Sequence, residues 1–259
     1  MKNSPVVSIV MPAYDASKFI SESIDSVRAQ TFADWELIII DDASKDETNH
    51  LVKEYVQQDQ RIKLHTLPVN QGAGFARNIG IKASEGDFIS FLDADDLWKP
   101  HKLQAQLDFM RNHKLSMCYS SYELMDEEGR SLQEMVKALE KLTFSKLLKA
   151  NYVGNLTGIY NAKELGKIYC PPIRKRQDWA MWLQTLKKAG EAKGILEPLA
   201  TYRMRRGSIS ANKQEMLQYN YKVYRKVLKF SALKSSYWIS RFLYEQFFVK
   251  SKQLVKLKQ

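Results

Sequence analysis

Three aspartates fall within five residues, Leu92-Asp93-Ala94-Asp95-Asp96, directly after the apolar run Phe88 to Leu92. A tight turn there would present Asp93 and Asp95 to one ligand. Paired carboxylate oxygens suit a hard divalent ion that shares its shell with substrate phosphates. The competing reading is a solvated turn with an aspartate capping the next helix. A second acidic pair, Asp41-Asp42, closes the run Trp35 to Ile40, and Asp15 follows the run Val6 to Met11. Like charges at short range repel, so their convergence calls for a cation or hydrogen-bond donors among them. Taken together, the acidic turns favour a ligand site over a capping turn. Farther along, Arg203, Arg205, Arg206, Ser208 and Ser210 make a donor-rich stretch suited either to phosphates or to a solvated surface loop.

These acidic turns need elements to hold them, and the apolar pattern supplies strands alternating with helices. Val6 to Met11, Trp35 to Ile40, Arg61 to Leu67 and Asp87 to Leu92 are short β-branched or aromatic runs that predict strands, the first ended by Pro12. Between them, Ile20, Ile24 and Val27, then Leu51, Val52, Tyr55 and Val56, recur at helical spacing, and a further helix is expected from Ala73 to Ser84. Pro100 suits the first residue of a helix with Leu103, Leu107 and Met110 on its apolar face. The alternation predicts an α/β fold with a mostly parallel sheet through about residue 115. Ligands of such sheets bind at the carboxyl ends of the strands, where each acidic cluster is placed. Beyond Met117 the pattern predicts a turn at Glu127-Glu-Gly129-Arg130, a short helix from Thr143 to Lys149, a strand from Asn155 to Tyr160, and a helix from Trp179 to Lys188 closed by Gly190.

The order and spacing of these segments resemble the family 2 nucleotide-sugar-dependent glycosyltransferases. The resemblance runs from Val7 to about Lys213. It rests on Val-Ser-Ile-Val-Met-Pro-Ala-Tyr14, Ile-Ile-Ile-Asp41-Asp42-Ala-Ser44-Lys-Asp46-Glu-Thr48, Asn70-Gln-Gly72-Ala-Gly-Phe-Ala-Arg77-Asn78-Ile-Gly80, Phe-Leu-Asp93-Ala94-Asp95-Asp96 and Arg-Gln-Asp178-Trp. The stretches Ile173 to Asp178 and Tyr202 to Ser210 are similar to the branch that includes teichuronic-acid-type cell-wall polysaccharide transferases. The resemblance implies a GT-A fold, a Rossmann-like sheet flanked by helices, with a nucleotide-sugar half at about 1–115 and an acceptor half at about 116–212. It also implies residue roles. Pro12, Tyr14, Asp41, Asp42, Arg77, Asp93, Ala94 and Arg205 would bind the nucleotide sugar, with Tyr14 against the base and Asp93 at the ribose. Asp95 would ligate Mn²⁺ or Mg²⁺. Asp178 would be the catalytic base of an inverting transfer, with Arg174, Lys175 and Arg176 favouring its ionised form. A helix cap is the structural alternative for Asp178 and for one of Asp41 and Asp42. Asp15 departs from the family pattern, which usually has asparagine there.

Of the chain's net charge of +11, residues 213–259 hold +9, from eleven basic and two acidic residues; the preceding 212 carry +2. A nearly neutral body with a basic, aromatic helical tail argues against a general polyanion binder. The tail suits an interfacial helix on anionic lipid, helices packed on the body, a dimer contact or a nucleic-acid contact. We rank the membrane surface first, take nucleic acid as no partner, and leave an oligomer open. Two cysteines make no disulfide framework, and the amino terminus lacks a secretory pattern. The expected location is cytoplasmic, peripheral on the inner face of the plasma membrane. The expected partners are a nucleotide-diphosphate sugar, UDP by resemblance, and a glycan or lipid-linked acceptor. A sugar-nucleotide nucleotidyltransferase is the competing enzyme class, and it would need a Gly-rich phosphate loop near Pro12–Tyr14, where none occurs. A non-catalytic membrane scaffold of the same fold is the third reading.

Overall fold

A computed structural model describes residues 4–205 and 213–257. The first apolar run forms β1 (Val7–Ala13), followed by α1 (Ile20–Arg28), β2 (Trp35–Asp41), α2 (Thr48–Gln58), β3 (Ile62–Thr66), α3 (Ala73–Ala83) and β4 (Phe88–Phe91). Pro12 does not end β1. Pairing of β1 with β4 stops at Val10, so the N–H that proline lacks has no ladder partner on that side to lose. The spatial order β4-β1-β2-β3 is parallel throughout, as the alternation predicted. The chain steps outward from β1 to β3 and returns to β4 on the other side of β1. That reversal opens a crevice at the carboxyl ends of β1 and β4.

Beyond it lie β5 (Leu97–Trp98), α4 (Lys102–His113), β6 (Met117–Met125), β7 (Ser131–Val136), β8 (Lys141–Thr143), α5 (Phe144–Lys149), β9 (Ile159–Asn161), α6 (Ala162–Leu165), α7 (Gln177–Ala189) and β10 (Glu191–Arg203). This half extends the sheet through antiparallel pairs of β9 with β4 and β6, and of β7 with β6, while β10 runs parallel to β6. The whole sheet is therefore mixed. Pro100 lies two residues ahead of α4. The stretch expected as one strand from Asn155 divides into a 3₁₀ turn (Asn155–Thr157), closed by Thr157 donating from both N and Oγ1 to the Gly154 carbonyl at 2.8 Å, and β9. The long strand β10 has no clean alternation, since it bulges at Ile195–Pro198 and Pro198–Ala200.

Side chains alternate across β1, so Val7, Ile9 and Met11 face α1 and α4 while Val10 faces the opposite layer. In that opposite layer, Trp179, Trp182, Leu183 and Leu186 of α7 are fully buried against Ile89, Phe91 and Tyr160. The basic tail forms α8 (Lys213–Lys222), a π turn (Val223–Val227), α9 (Ala232–Phe248) and β11 (Leu254–Lys256). It packs on the body. Val223, Tyr224 and Phe242 join the same core as α7, and β11 pairs antiparallel with β7. Tyr224 donates to the Leu148 carbonyl at 2.6 Å, and buried Glu245 accepts from Tyr152 at 2.5 Å and from Lys146.

Candidate active site

The loops leaving β1, β2 and β4 meet at the crevice, and two of them carry residues in the left-handed region. Asp15 has φ 45° and Ala43 φ 61°. Such conformations are unfavourable for a residue with a side chain, and persist where surrounding bonds hold them. Asp15 is held: its N–H donates to Ser44 Oγ at 3.0 Å, and its Oδ1 accepts from Lys45 N at 2.8 Å. Aspartate tolerates this backbone well, as asparagine would. Tyr14 remains 44% exposed above the loop, and the Asp15 carboxylate raises its pKa.

Asp41 and Asp42 are both buried. Asp41 accepts from Ser44 N at 3.0 Å and from Asn49 Nδ2 at 2.8 Å, which braces the loop against α2. Asp42 accepts from Gln71 N at 2.8 Å and Gly72 N at 2.7 Å, with Gly72 at φ 87° as it turns into α3. The capping of α2 itself falls to Asp46, whose Oδ1 accepts from Thr48 N at 3.0 Å; burial opposes its ionisation, but hydrogen bonds from Thr48 and Ser17 outweigh that and pull its pKa down to about 2. Each carboxylate of the pair thus shapes a loop while keeping lone pairs for a ligand.

Across the crevice, Arg77 on α3 is buried and donates to Asp93 Oδ1 at 2.6 Å. Burial opposes its charge, but the Asp93 carboxylate, with Asp178 adding, outweighs burial and holds the guanidinium charged. Its Nε is buried without a partner among the described residues. Asp95 accepts from Arg205 Nη1 at 2.9 Å. Burial, then the neighbouring Asp93 charge, raises the pKa of Asp95. Buried Asp96 is pushed well above the carboxylate range by burial and by Asp95 and Asp93, and it accepts the Arg203 N–H at 3.0 Å. Ala94, between Asp93 and Asp95 in the chain, is buried. Arg203 is no mobile phosphate donor. It ends β10, buried, and donates to the Asp95 carbonyl at 2.9 Å, the Glu127 carbonyl at 2.9 Å and Glu22 at 2.6 Å. Arg206, Ser208 and Ser210 lie outside the described residues.

Among the described residues no three metal-ligating side chains converge. Asp93 and Asp95 nevertheless fit a divalent ion as a partial shell. Two carboxylates two residues apart, one of them with a raised pKa, want positive charge, and Mg²⁺-type sites commonly take one or two carboxylates and complete the shell from substrate phosphates and water.

Asp178 sits in the first turn of α7, one residue inside the helix and two beyond Arg176. Arg176, not Asp178, is the N-terminal flanking residue, at φ 64°. Asp178 Oδ2 accepts from Asn151 Nδ2 at 3.0 Å, and Oδ1 has no donor among the described residues. Of the neighbouring cations, Lys175 is drawn off to Glu215 at 2.6 Å and Arg174 is exposed. Arg77, Arg176 and Lys250 respond to the Asp178 charge instead. Close approach of Gly74 to the Gln177 side chain brings the N-terminus of α3 against that of α7, and the Arg77 guanidinium, bonded to Asp93, is also favoured by the Asp178 charge. The structure thereby joins the predicted Asp93, Arg77 and Asp178. Asn151 and Lys250 carry no sequence signal: one is a lone polar residue after α5, the other one of many tail lysines.

The profile of glycosyl transferase family 2 matches residues 8–162. TuaG of Bacillus subtilis (strain 168), a glycosyltransferase named for teichuronic acid biosynthesis, is 38% identical over 233 residues, covering 90% of this chain and 92% of its own. WfgD of Escherichia coli, named a UDP-Glc:alpha-D-GlcNAc-diphosphoundecaprenol beta-1,3-glucosyltransferase, is 38% identical over 216 residues, covering 82% and 83%. Among solved structures, S. aureus TarS 1-349 in complex with UDP-GlcNAc superposes with a TM-score of 0.72 at 21% identity, over 93% of this chain and 73% of that one. The mannosyltransferase PcManGT from Pyrobaculum calidifontis, in complex with GDP-Man and Mn²⁺, gives 0.66 at 14% identity, over 97% and 72%. The fold is thus GT-A, as the resemblance implied, and with its acidic turns gathered at the crevice the chain belongs to glycosyl transferase family 2.

Proposed function

We propose that this glycosyltransferase moves a sugar from a UDP-linked donor to a lipid-linked or glycan acceptor of a bacterial surface polysaccharide, with inversion at the transferred carbon. The observation that carries the reading is buried Arg77, which donates to Asp93 at 2.6 Å and whose charge Asp178 also favours. In-line displacement needs a leaving diphosphate and a base on opposite faces of the sugar. Asp178 Oδ1, free of described donors, takes the proton from the acceptor hydroxyl as its oxygen bonds to the anomeric carbon. The bond from that carbon to the diphosphate breaks with its electron pair, and nucleoside diphosphate leaves. Asp95, with Asp93 beside it, would hold Mn²⁺ or Mg²⁺, which supplies charge stabilisation at the diphosphate. Arg205 donates from the same side, Tyr14 covers the base, and Pro12, Asp41, Asp42 and Ala94 shape the pocket. The relatives named for a UDP-sugar and a diphosphoundecaprenol acceptor support this substrate class.

The test is release of nucleoside diphosphate from a panel of nucleotide sugars, with Mn²⁺ and with EDTA. UDP release that needs Mn²⁺ is expected. Pyrophosphate release instead would point to nucleotidyl transfer, and no turnover with any donor would leave a scaffold.

We also propose that α9 seats the enzyme on anionic membrane. No helix among the described residues is long and apolar enough to cross a membrane. Opposite the buried Phe242 and Glu245, however, Leu233, Tyr237, Tyr244, Phe247 and Phe248 are 84, 56, 54, 69 and 63% exposed. Their spacing puts them on one helical face, flanked by Lys234 and Arg241. Exposed aromatics ringed by cations match an anionic lipid surface.

A further inference from the structure

The tail reaches the acceptor side of the crevice. Lys250, just after α9, donates from Nζ to the Asn151 carbonyl at 2.6 Å. The same Asn151 receives the Val153 N–H on Oδ1 at 3.2 Å and directs Nδ2 to Asp178 at 3.0 Å. Arg176, two residues before Asp178 at the N-terminus of α7, has its Nε buried without a partner among the described residues. Burial lowers the pKa of both cations, Lys250 to about 8, and the Arg176 charge adds to the effect on Lys250. Two partly buried cations thus share the field of a single carboxylate. Neither forms an ion pair with a described residue, and each keeps donors to spare. Like charges held within reach of each other repel, and a second anion would relieve the arrangement.

Position decides which anion. The donor diphosphate belongs with Asp93, Asp95 and Arg205, across Arg77. An anion beside Asp178 must arrive with the acceptor.

We propose that Arg176 and Lys250 form a phosphate-binding subsite for the acceptor, holding the phosphate or diphosphate that links its accepting sugar to a carrier. The subsite rests on the reading of Asp178 as the base. It gives the tail a part in substrate selection: acceptors phosphorylated next to the accepting sugar are taken, neutral glycosides poorly. Lys250 also orients Asn151 and through it Asp178, so binding of the phosphate would brace the base.

The test uses the full chain saturated with UDP and Mn²⁺, so that the donor site is filled. Calorimetric titration compares undecyl N-acetylglucosaminyl diphosphate with the neutral undecyl N-acetylglucosaminide. The wild type is expected to bind the diphosphate at least about tenfold more tightly, as charge-assisted hydrogen bonds predict. Lys250→Gln and Arg176→Gln should each lose about tenfold for the diphosphate and nothing for the glycoside, while Lys250→Arg keeps most of the preference. Equal affinity of the wild type for both probes, binding of neither, or equal weakening of both probes in the variants would overturn the subsite. UDP titrated into the same proteins separates the two readings: failure to bind UDP counts against the proposed function, whereas the preference between probes, measured also without UDP, still decides the subsite.

Discussion

Asp178→Asn isolates the proton-accepting step. The substitution keeps the side-chain shape, and its amide oxygen can still accept from Asn151 Nδ2, which stands 3.0 Å from Oδ2 in the native site. The atom facing the acceptor then becomes either a donor or a very weak base. General-base contributions run from about 10² to 10⁴ in rate, so we expect kcat to fall about 10³-fold, which is about 4 kcal/mol of transition-state stabilisation. The fold should barely notice. A carboxylate in the first turn of α7 contributes about 0.3–1 kcal/mol through the helix dipole, or about 1–4 °C in melting temperature for a chain of this size. UDP affinity should stay within about threefold, because Asp93, Asp95 and Arg205 are untouched, and the change felt through Arg77 is worth little beyond that. Asn151→Ala removes one hydrogen bond to the base and should cost about tenfold in kcat with UDP binding intact. The assay is steady-state UDP release with acceptor present, beside calorimetric UDP titration and thermal melting. An Asp178→Asn enzyme turning over within threefold of wild type would refute the assignment of the base. Parallel loss of kcat and UDP affinity would place Asp178 in donor binding instead.

Three further outcomes follow from the packing. Lys102 is fully buried, with Nζ 3.7 Å from the Trp98 ring centre and donating to Gln106 Oε1 at 2.6 Å; burial pulls its pKa down to about 7. The unfolded chain therefore binds more protons between about pH 7 and 10.5, and stability due to this group rises with pH across that window. Lys102→Met should flatten that rise and stabilise the fold by about 2 kcal/mol at pH 7 or below, measured by urea unfolding across pH. Gly158→Ala would bring a Cβ to 2.3 Å from Trp182 Cζ2, and Trp182 is pinned against Phe91 at 5.6 Å between ring centres. It should destabilise by about 1–3 kcal/mol in thermal melts. The paired change of Phe247 and Phe248 to serine should abolish flotation with anionic liposomes while soluble UDP release continues; unchanged flotation would remove α9 from membrane binding.

Local chemistry made much of the nucleotide half legible. Strand runs such as Trp35 to Ile40 are apolar because both faces of a parallel strand are covered, and the acidic turns follow them directly in the chain. Asp41, Asp42, Asp93 and Asp95 could therefore be placed at one sheet edge from spacing alone. The second half resisted. Its strands pair across long separations, β10 with β6 and β11 with β7, and no local period announces which strand meets which. At the tail, charge balance alone could not say which side chains pack on the body and which face outward. In the structure Tyr224 and Phe242 face inward to α7 and the exposed aromatics face outward on the same segment.

By itself, the sequence determined the parallel block and the acidic turns, because each depends on residues close together in the chain, and its family resemblance made Asp178 a candidate. Only the tertiary structure decided what surrounds them. Arg203 is a buried strut rather than a phosphate donor because Glu22, Asp95 and Glu127 converge on it from separate loops. Asp178 is set by Asn151, 27 residues before it, which is in turn held by Lys250 from the far end of the tail. Electrostatic fields act through space, and chain separation carries no information about them.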